Sequence, residues 1–376
     1  MSAETLELAK RLVACRSITP DDAGCLDLIG SRLTAAGFAC ERIDGRVARN
    51  LLARHGRGAP LVCFAGHVDV VPPGPVDRWT SDPFVPTERD GYLYGRGVAD
   101  MKSSVAAMVT AAERFVAAHP NHPGSIAVLL TSDEEGDAVD GTVAVVDALK
   151  ARGESIDACI IGEPTSSAQL GDALKNGRRG SLHGVLTVKG TQGHVAYPEL
   201  ARNPIHMAMP ALAELAAAEW DRGDESFAPT SFQISNVRAG SGANNVIPAT
   251  MDVVFNFRFS PASPAETLQA RTHAILKTHG VDGDLAWTVA SLPFISPRGR
   301  LVNALSTAVA SVTGITPAIA TGGGTSDGRF LAAISAELVE FGPVNATIHA
   351  IDERMRVADI GPLSLIYEKT ITALLA

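Results

Sequence analysis

Histidines and carboxylates recur in this sequence where apolar runs end. His67 follows "LVCFAG", Glu134 and Glu135 follow "IAVLLTSD", Glu163 follows "ACIIG" and His349 follows "LVEFGPVNATI". Asp100 lies in "GRGVADMKSS", a glycine-containing loop leading into a helical pattern. In open parallel sheets functional groups collect beyond the strand ends, so His67, Asp100, Glu135, Glu163 and His349 are expected to converge on one edge. Two imidazoles and three carboxylates suit zinc, cobalt or manganese better than calcium or magnesium, which prefer oxygen shells. One ion needs three or four such groups. Five, with a carboxylate free to bridge, suffice for two ions about 3.5 Å apart.

The spare carboxylates then acquire roles. Asp69, two residues from His67, is placed to accept the second imidazole N–H and set its tautomer. Adjacent glutamates point apart, so one of Glu134 and Glu135 can ligate while the other serves as a base. Any one of these groups alone has an ordinary explanation: a packed histidine, or a solvated acidic turn for "TSDEEGDAVDG". Their coincidence at matching strand ends is what points to a site.

The elements that must position them alternate through the first half of the chain. Short apolar runs ("PLVCFAGHVDVV", "SIAVLLTSDEE", "IDACIIGEPT") are separated by helix-patterned segments ("CLDLIGSRLTAAGF", "KSSVAAMVTAAERFVAAH", "TVAVVDALKARG"). This grammar predicts an α/β fold whose mainly parallel sheet is sandwiched by helices. From about Gly180 the strands become half-polar, and the order β-α-β-β-α-β predicts an inserted ferredoxin-like α+β unit. Ser263 is expected to cap its second helix, with Pro264 at the first position. Residues 1–179 and 294–376 are therefore assigned to a metal-binding catalytic domain and 180–293 to an inserted dimerisation domain. The half-polar strands would leave a sheet edge that a second copy covers, so a homodimer is expected.

The 376-residue chain, 46% hydrophobic with a net charge of −9, reads as a globular protein of two domains. An acidic balance argues against a nucleic-acid binder, which needs a basic face, though a local basic pocket for an anionic substrate can sit in an acidic whole, and no apolar run approaches a membrane span. The charged N-terminus lacks a signal-peptide core, and five cysteines without a C-x-x-C pair suit a reducing compartment; a cytoplasmic location is expected. "TGGGTSDGR" lacks the G-K-[ST] ending of a phosphate loop and is read instead as backbone that approaches a substrate.

"GHVDVVP", "YGRGVADMKSS", "TSDEEGDAVDGT" and "IIGEPT" resemble the motifs of the dinuclear zinc amidohydrolases, which include aminoacylases, acetylornithine deacetylases and glutamate carboxypeptidases. The resemblance runs from the first helix to the last. "KNGRRGSLHG", "GTQGHVAYPELARNP", "GSGANNVIPA", "FNFRFS", "GGTSDGRF" and "EFGPVNATIH" resemble a branch whose acyl substrate carries its own carboxylate. Carried over, the resemblance implies two Zn2+ per subunit, with Co2+ or Mn2+ able to substitute. Asp100 would bridge them, His67 and Glu163 would complete one site, and Glu135 and His349 the other. Glu134 would be the general base and Asp69 the orienting carboxylate. It further implies a cis peptide between Asp100 and Met101, and that His194 reaches the partner subunit's active site to stabilise an oxyanion.

An anionic N-acyl amino acid is the expected substrate. "LKNGRRGS" offers Lys175, Arg178 and Arg179, and Arg258 stands mid-strand between Phe257 and Phe259, a setting in which guanidinium groups take carboxylate partners. The resemblance adds Ser181, Tyr197, Asn244, Asn245, Gly324, Thr325 and Asn345 to the pocket, with Asn244 and Asn245 from the partner. Two other readings stay open: an acetylornithine deacetylase or aminoacylase with the same chemistry, and a non-catalytic metal-binding protein.

Overall fold

The computed structural model describes residues 2–240 and 242–376. Two compact units make up the chain: Met1–Gly177, Ile295–Ala320 and Ser326–Ala376 form the first, and Arg178–Phe294 with Thr321–Thr325 the second. The segment Thr321–Thr325, left in the catalytic domain by the sequence reading, clusters with the second unit. The Arg178 guanidinium donates to the carbonyls of Gly322 and Gly324 at 3.4 and 3.1 Å, and the Thr321 hydroxyl to that of Ser226 at 2.6 Å.

The apolar runs form an eight-stranded sheet in the order Ala39–Arg42, Asn50–Gly56, Ser125–Thr131, Leu61–His67, Ile156–Ile161, Ser335–Glu340, Ala173–Lys175, Ala318–Ala320. The four central strands pair in parallel. Every residue of Leu61–His67 and Ser125–Thr131 is buried, as strands covered on both faces require. Val62, Phe64, Ile126, Val128 and Ile160 join the main core with helices Ser2–Ala14, Ser103–Ala118 and Val357–Leu375. The alternate residues Cys63, Ala65, Ala127, Leu129 and Cys159 are equally buried on the other face. All five cysteines are free thiols.

The second unit runs β-α-β-β-α-β with the antiparallel strand order Ser231–Ala239, Thr250–Phe259, Gly180–Lys189, Gly283–Ser291. Leu182, Leu186, Phe255, Phe257 and Trp220 form its core with the two helices, while Val185, Val237 and Val289 on three of the strands are exposed. Asn203 caps the first helix through Ile205 N–H, as its type predicts. Ser263 does not cap the second. It is buried, and its hydroxyl turns to the Trp220 carbonyl 3.5 Å away.

Ladder register sets the strand ends level. His67 lies opposite Thr131, and Ala65 opposite Ile161, so two residues beyond Ile161 the chain reaches Glu163 beside His67. Glycines precede both groups for a packing reason. A Cβ on Gly66 would overlap the Met101 methyl, and one on Gly162 would lie 2.6 Å from that methyl and 2.7 Å from the Ser104 Cβ. Met101, fully buried, thus wedges between two strand ends and anchors its neighbour Asp100. The Asp100–Met101 peptide is cis. Gly66→Ala should overpack this wedge and destabilise the metal-free protein by about 1–3 kcal/mol, read as a lower urea midpoint; an unchanged midpoint would show that Met101 relocates freely.

Candidate metal centre

Asp100 stands between two imidazoles. Its Oδ1 is 3.3 Å from His67 Nε2 and its Oδ2 3.4 Å from His349 Nε2. Around His67, Glu163 Oε1 lies 3.7 Å from Nε2, and around His349, Glu135 Oε1 lies 3.0 Å from Nε2. The donor atoms of His67, Asp100 and Glu135 all fall within 4.8 Å of one another, as do those of His67, Glu134 and Glu163. The structure therefore gathers all five expected ligands, with Glu134 among them. His67, Asp100 and Glu163 are buried and His349 is half open to solvent. His349 also holds a left-handed backbone, φ +58°, a conformation costly for a side-chain-bearing residue and frequent at functional sites.

Asp69 acts differently from expectation. The His67 Nδ1–H donates to the Asp69 backbone carbonyl at 2.9 Å, while the Asp69 carboxylate is 3.6 Å away. That carboxylate instead accepts the backbone N–H groups of Glu134 (3.4 Å) and Glu135 (3.0 Å). One residue thereby sets the imidazole tautomer through its main chain and holds the di-glutamate turn through its side chain. The Asp133 carboxylate holds the next stretch of the turn, accepting from the N–H groups of Ala138 and Val139.

The residues fit divalent cations. His67 Nε2 and Asp100 Oδ1 are buried, and neither makes a hydrogen bond among the described residues. Asp69, Asp100, Glu134, Glu135 and Glu163 crowd the same space, where unpaired negative charge is costly. In the metal-free protein protons balance that charge. The carboxylates of Asp100 and Glu135 push His349 up to about 10. Burial opposes the charge on His67, but Asp100, Asp69 and Glu134 outweigh it and raise that imidazole well above its usual range. Burial, reinforced by Glu163, pushes Glu134 well above the usual carboxylate range.

Glu353 was not legible as a site residue. Fully buried, its carboxylate accepts from Arg96 Nη1 (2.8 Å) and from the backbone N–H groups of Gly97 (2.9 Å), Ala99 (2.9 Å) and Asp100 (3.2 Å). No motif announces it; its only sequence signal is a carboxylate four residues beyond His349.

The remaining expected residues are distributed as follows. In the first unit, Lys175 is buried opposite Glu340, and Asn345 is half-buried with its N–H on the Ser166 carbonyl. In the second, Arg178 is buried on the glycine loop that carries Gly324 and Thr325. Arg258 lies opposite Ser181 in the ladder, and Asn256 Nδ2 donates to the Ser181 hydroxyl at 3.0 Å. Arg258 Nη1 and Arg179 Nε are buried without hydrogen-bond partners among the described residues. His194, Tyr197, Asn244 and Asn245 share one exposed corner of that unit: His194 pairs with Val246, and Val195 N–H meets the Asn245 carbonyl.

Comparison with known proteins follows this geometry. The profile of peptidase family M20/M25/M40 matches residues 63–373. A succinyl-diaminopimelate desuccinylase from Azoarcus sp. (strain BH72) is 62% identical over 371 residues, covering 99% of this chain and 98% of that protein. One of the same name from Bordetella petrii is 61% identical over 370 residues, covering 98% and 97%. Among solved structures, the M20 family metallo-carboxypeptidase Sso-CP2 from Sulfolobus solfataricus superposes with a TM-score of 0.82 at 16% identity over 98% of each chain, which is likeness of fold. No helix among the described residues is long and apolar enough to cross a membrane.

Raised imidazoles have a consequence for metal uptake. A ligating histidine must be neutral, and in the metal-free protein His349 holds its proton until about pH 10 while the carboxylates around His67 raise that imidazole's affinity for its own. Metal affinity should therefore rise with pH from neutrality towards that value. Zinc binding at pH 7 should release protons, that of His349 among them, measured by calorimetry in buffers of different ionisation enthalpy; no release would contradict the protonated His349.

Proposed function

The chain belongs to peptidase family M20/M25/M40, and from that premise we propose that it hydrolyses the amide of N-succinyl-LL-2,6-diaminopimelate to succinate and LL-2,6-diaminopimelate. The substrate rests on relatives of about 60% identity over nearly the whole chain. The chemistry rests on one observation: the two oxygens of Asp100 face two different imidazoles. Asp100 would then be shared by two divalent ions, zinc in the first instance, with His67 and Glu163 on one and Glu135 and His349 on the other. Such ions supply Lewis acidity, polarising a carbonyl and bringing the pKa of water from about 15.7 to near 7.

The chain's own residues do the rest. Glu134 accepts a proton from the attacking water at a carboxylate oxygen and returns it to the departing amine nitrogen. Asp69 keeps Glu134 and Glu135 on their opposite tasks by holding both their N–H groups. The neighbouring guanidinium groups of Arg179 and Arg258, whose buried Nε and Nη1 respectively have no hydrogen-bond partner among the described residues, suit substrate carboxylates, joined by Lys175, Arg178, Ser181, Gly324, Thr325 and Asn345. We place His194, with Tyr197, Asn244 and Asn245, in the active site of a second copy, where the imidazole would stabilise the tetrahedral oxyanion. The exposed valines of the second unit's sheet favour such a homodimer.

Glu134→Gln should keep its metal content and lose turnover by about 10²–10⁴; activity near wild type would remove Glu134 as the base. Metal-dependent hydrolysis should be confined to the succinyl substrate, and comparable turnover of N-acetyl-ornithine would overturn the substrate assignment. His194→Ala should lose about 10²–10³ in kcat with zinc retained. Mixing Glu134→Gln and His194→Ala protomers should restore activity that neither has alone, because a mixed dimer contains one complete site. Failure of the mixture, in a dimer shown to exchange subunits, would place His194 in its own subunit's site.

A further inference from the structure

Two of the ligand-bearing loops are far apart in sequence, and the structure ties them together at one buried carboxylate. The loop that carries His349 is closed on itself by Thr347, whose hydroxyl donates to the Arg354 carbonyl at 3.0 Å and accepts from Arg354 N–H at 3.1 Å. Asp352 docks the loop on Thr80, accepting from its N–H and hydroxyl at 2.9 and 3.0 Å. Beyond it, Arg354–Arg356 pairs antiparallel with Tyr92–Tyr94, and Gly95 N–H donates to the Glu353 carbonyl at 3.1 Å. The Glu353 side chain then takes the three backbone N–H groups of Gly97, Ala99 and Asp100 and one arm of Arg96. Arg96, over the Trp79 ring at 5.1 Å, points its other arm at the His349 carbonyl, 3.5 Å away.

We propose that Glu353 is a positioning residue for the second ion, the one held by Asp100, Glu135 and His349, and that it works by locking the Asp100 loop to the His349 loop. The inference rests on the two-ion reading above. The asymmetry between the ions comes from what holds each ligand. His67 and Glu163 stand level at the ends of adjacent ladder-paired strands, and His67 is held further by its Nδ1–H on the Asp69 carbonyl. His349 stands on a half-exposed loop in a left-handed conformation, and its distance from Asp100 depends on Glu353 and Arg96. Glutamine at position 353 keeps the shape but offers one acceptor oxygen and an amide donor. It can serve Ala99 and Asp100, or Gly97 and Arg96, but not both pairs.

Cobalt(II) titration of metal-free protein tests this, with visible absorption reporting coordination at each ion and calorimetry the two affinities. For Glu353→Gln we expect the first cobalt to bind as in wild type and the second to weaken by about 10–100-fold, the range for outer groups that orient ligands. Its absorption bands should change and kcat fall while KM holds. Arg96→Lys, which keeps the charge but loses the fork, should weaken the same step by less. Glu337→Gln is the stability control: it removes an acceptor from Arg300 and Leu301 N–H at a helix start and should lower the melting temperature without moving either cobalt constant. If Glu353→Gln does not fold, Arg96→Lys carries the test alone. Two unchanged affinities in the altered protein, or an equal loss of both, would overturn the inference while leaving two ions in place. A wild-type chain that takes up only one cobalt would overturn the two-ion reading and this inference with it.

Discussion

Like charges held together out of water repel strongly, and five carboxylates share the edge of this sheet with only two imidazoles among them. At low effective dielectric that arrangement persists only when each carboxylate is held by something else. Much of the first unit reads as the solution. Asp100 is flanked by both imidazoles, Asp69 is occupied by two backbone N–H groups, and Asp133 by those of its own turn. Glu353, just outside the cluster, is balanced by Arg96 and three main-chain donors. What remains is the space between Asp100, Glu135, Glu163 and the imidazoles, where protons balance the charge in the metal-free protein and where the proposed divalent cations would sit.

The parallel sheet makes this crowding geometrically possible. Neighbouring parallel strands end on the same side, so His67 and the turns after Thr131 and Ile161 emerge together without a designed approach. Packing finishes the alignment. Met101 fills the room left by Gly66 and Gly162, so the residue beside Asp100 is wedged between the ends of two strands that lead to His67 and Glu163. A disturbance of core packing at this point is therefore also a disturbance of the site.

The second unit has a different economy of charge. Arg258 and Arg179 lie near one another, and burial with mutual repulsion lowers the affinity of Arg258 for its proton. Arg178 is turned to backbone carbonyls of the glycine loop and orders that loop. The loop dismissed as a phosphate cradle thus has a structural partner within its own unit.

Much of this was open to a reader of the sequence, because burial and secondary structure follow local periods. Fully apolar runs between amphipathic helices mark a covered parallel sheet, half-polar strands mark the second unit, and the residue types just past each run mark His67, Glu134, Glu135, Glu163 and His349. Where the chain is decided by contacts between distant segments, local pattern carries no information. Ser263 has the residue type of a cap but was drawn to Trp220. Asp69 lies at the right spacing, yet its main chain rather than its carboxylate meets His67, because the carboxylate is claimed by the turn at Glu134. Glu353 finds its four donors some 250 residues upstream. The sequence by itself determined which side chains could do chemistry and which strand ends would present His67, Glu134, Glu135 and Glu163, while His349 stands on a loop nine residues beyond its strand. Only the tertiary structure decided which oxygen faces which nitrogen, because hydrogen-bond partners depend on loop directions that no repeat of two or 3.6 residues encodes.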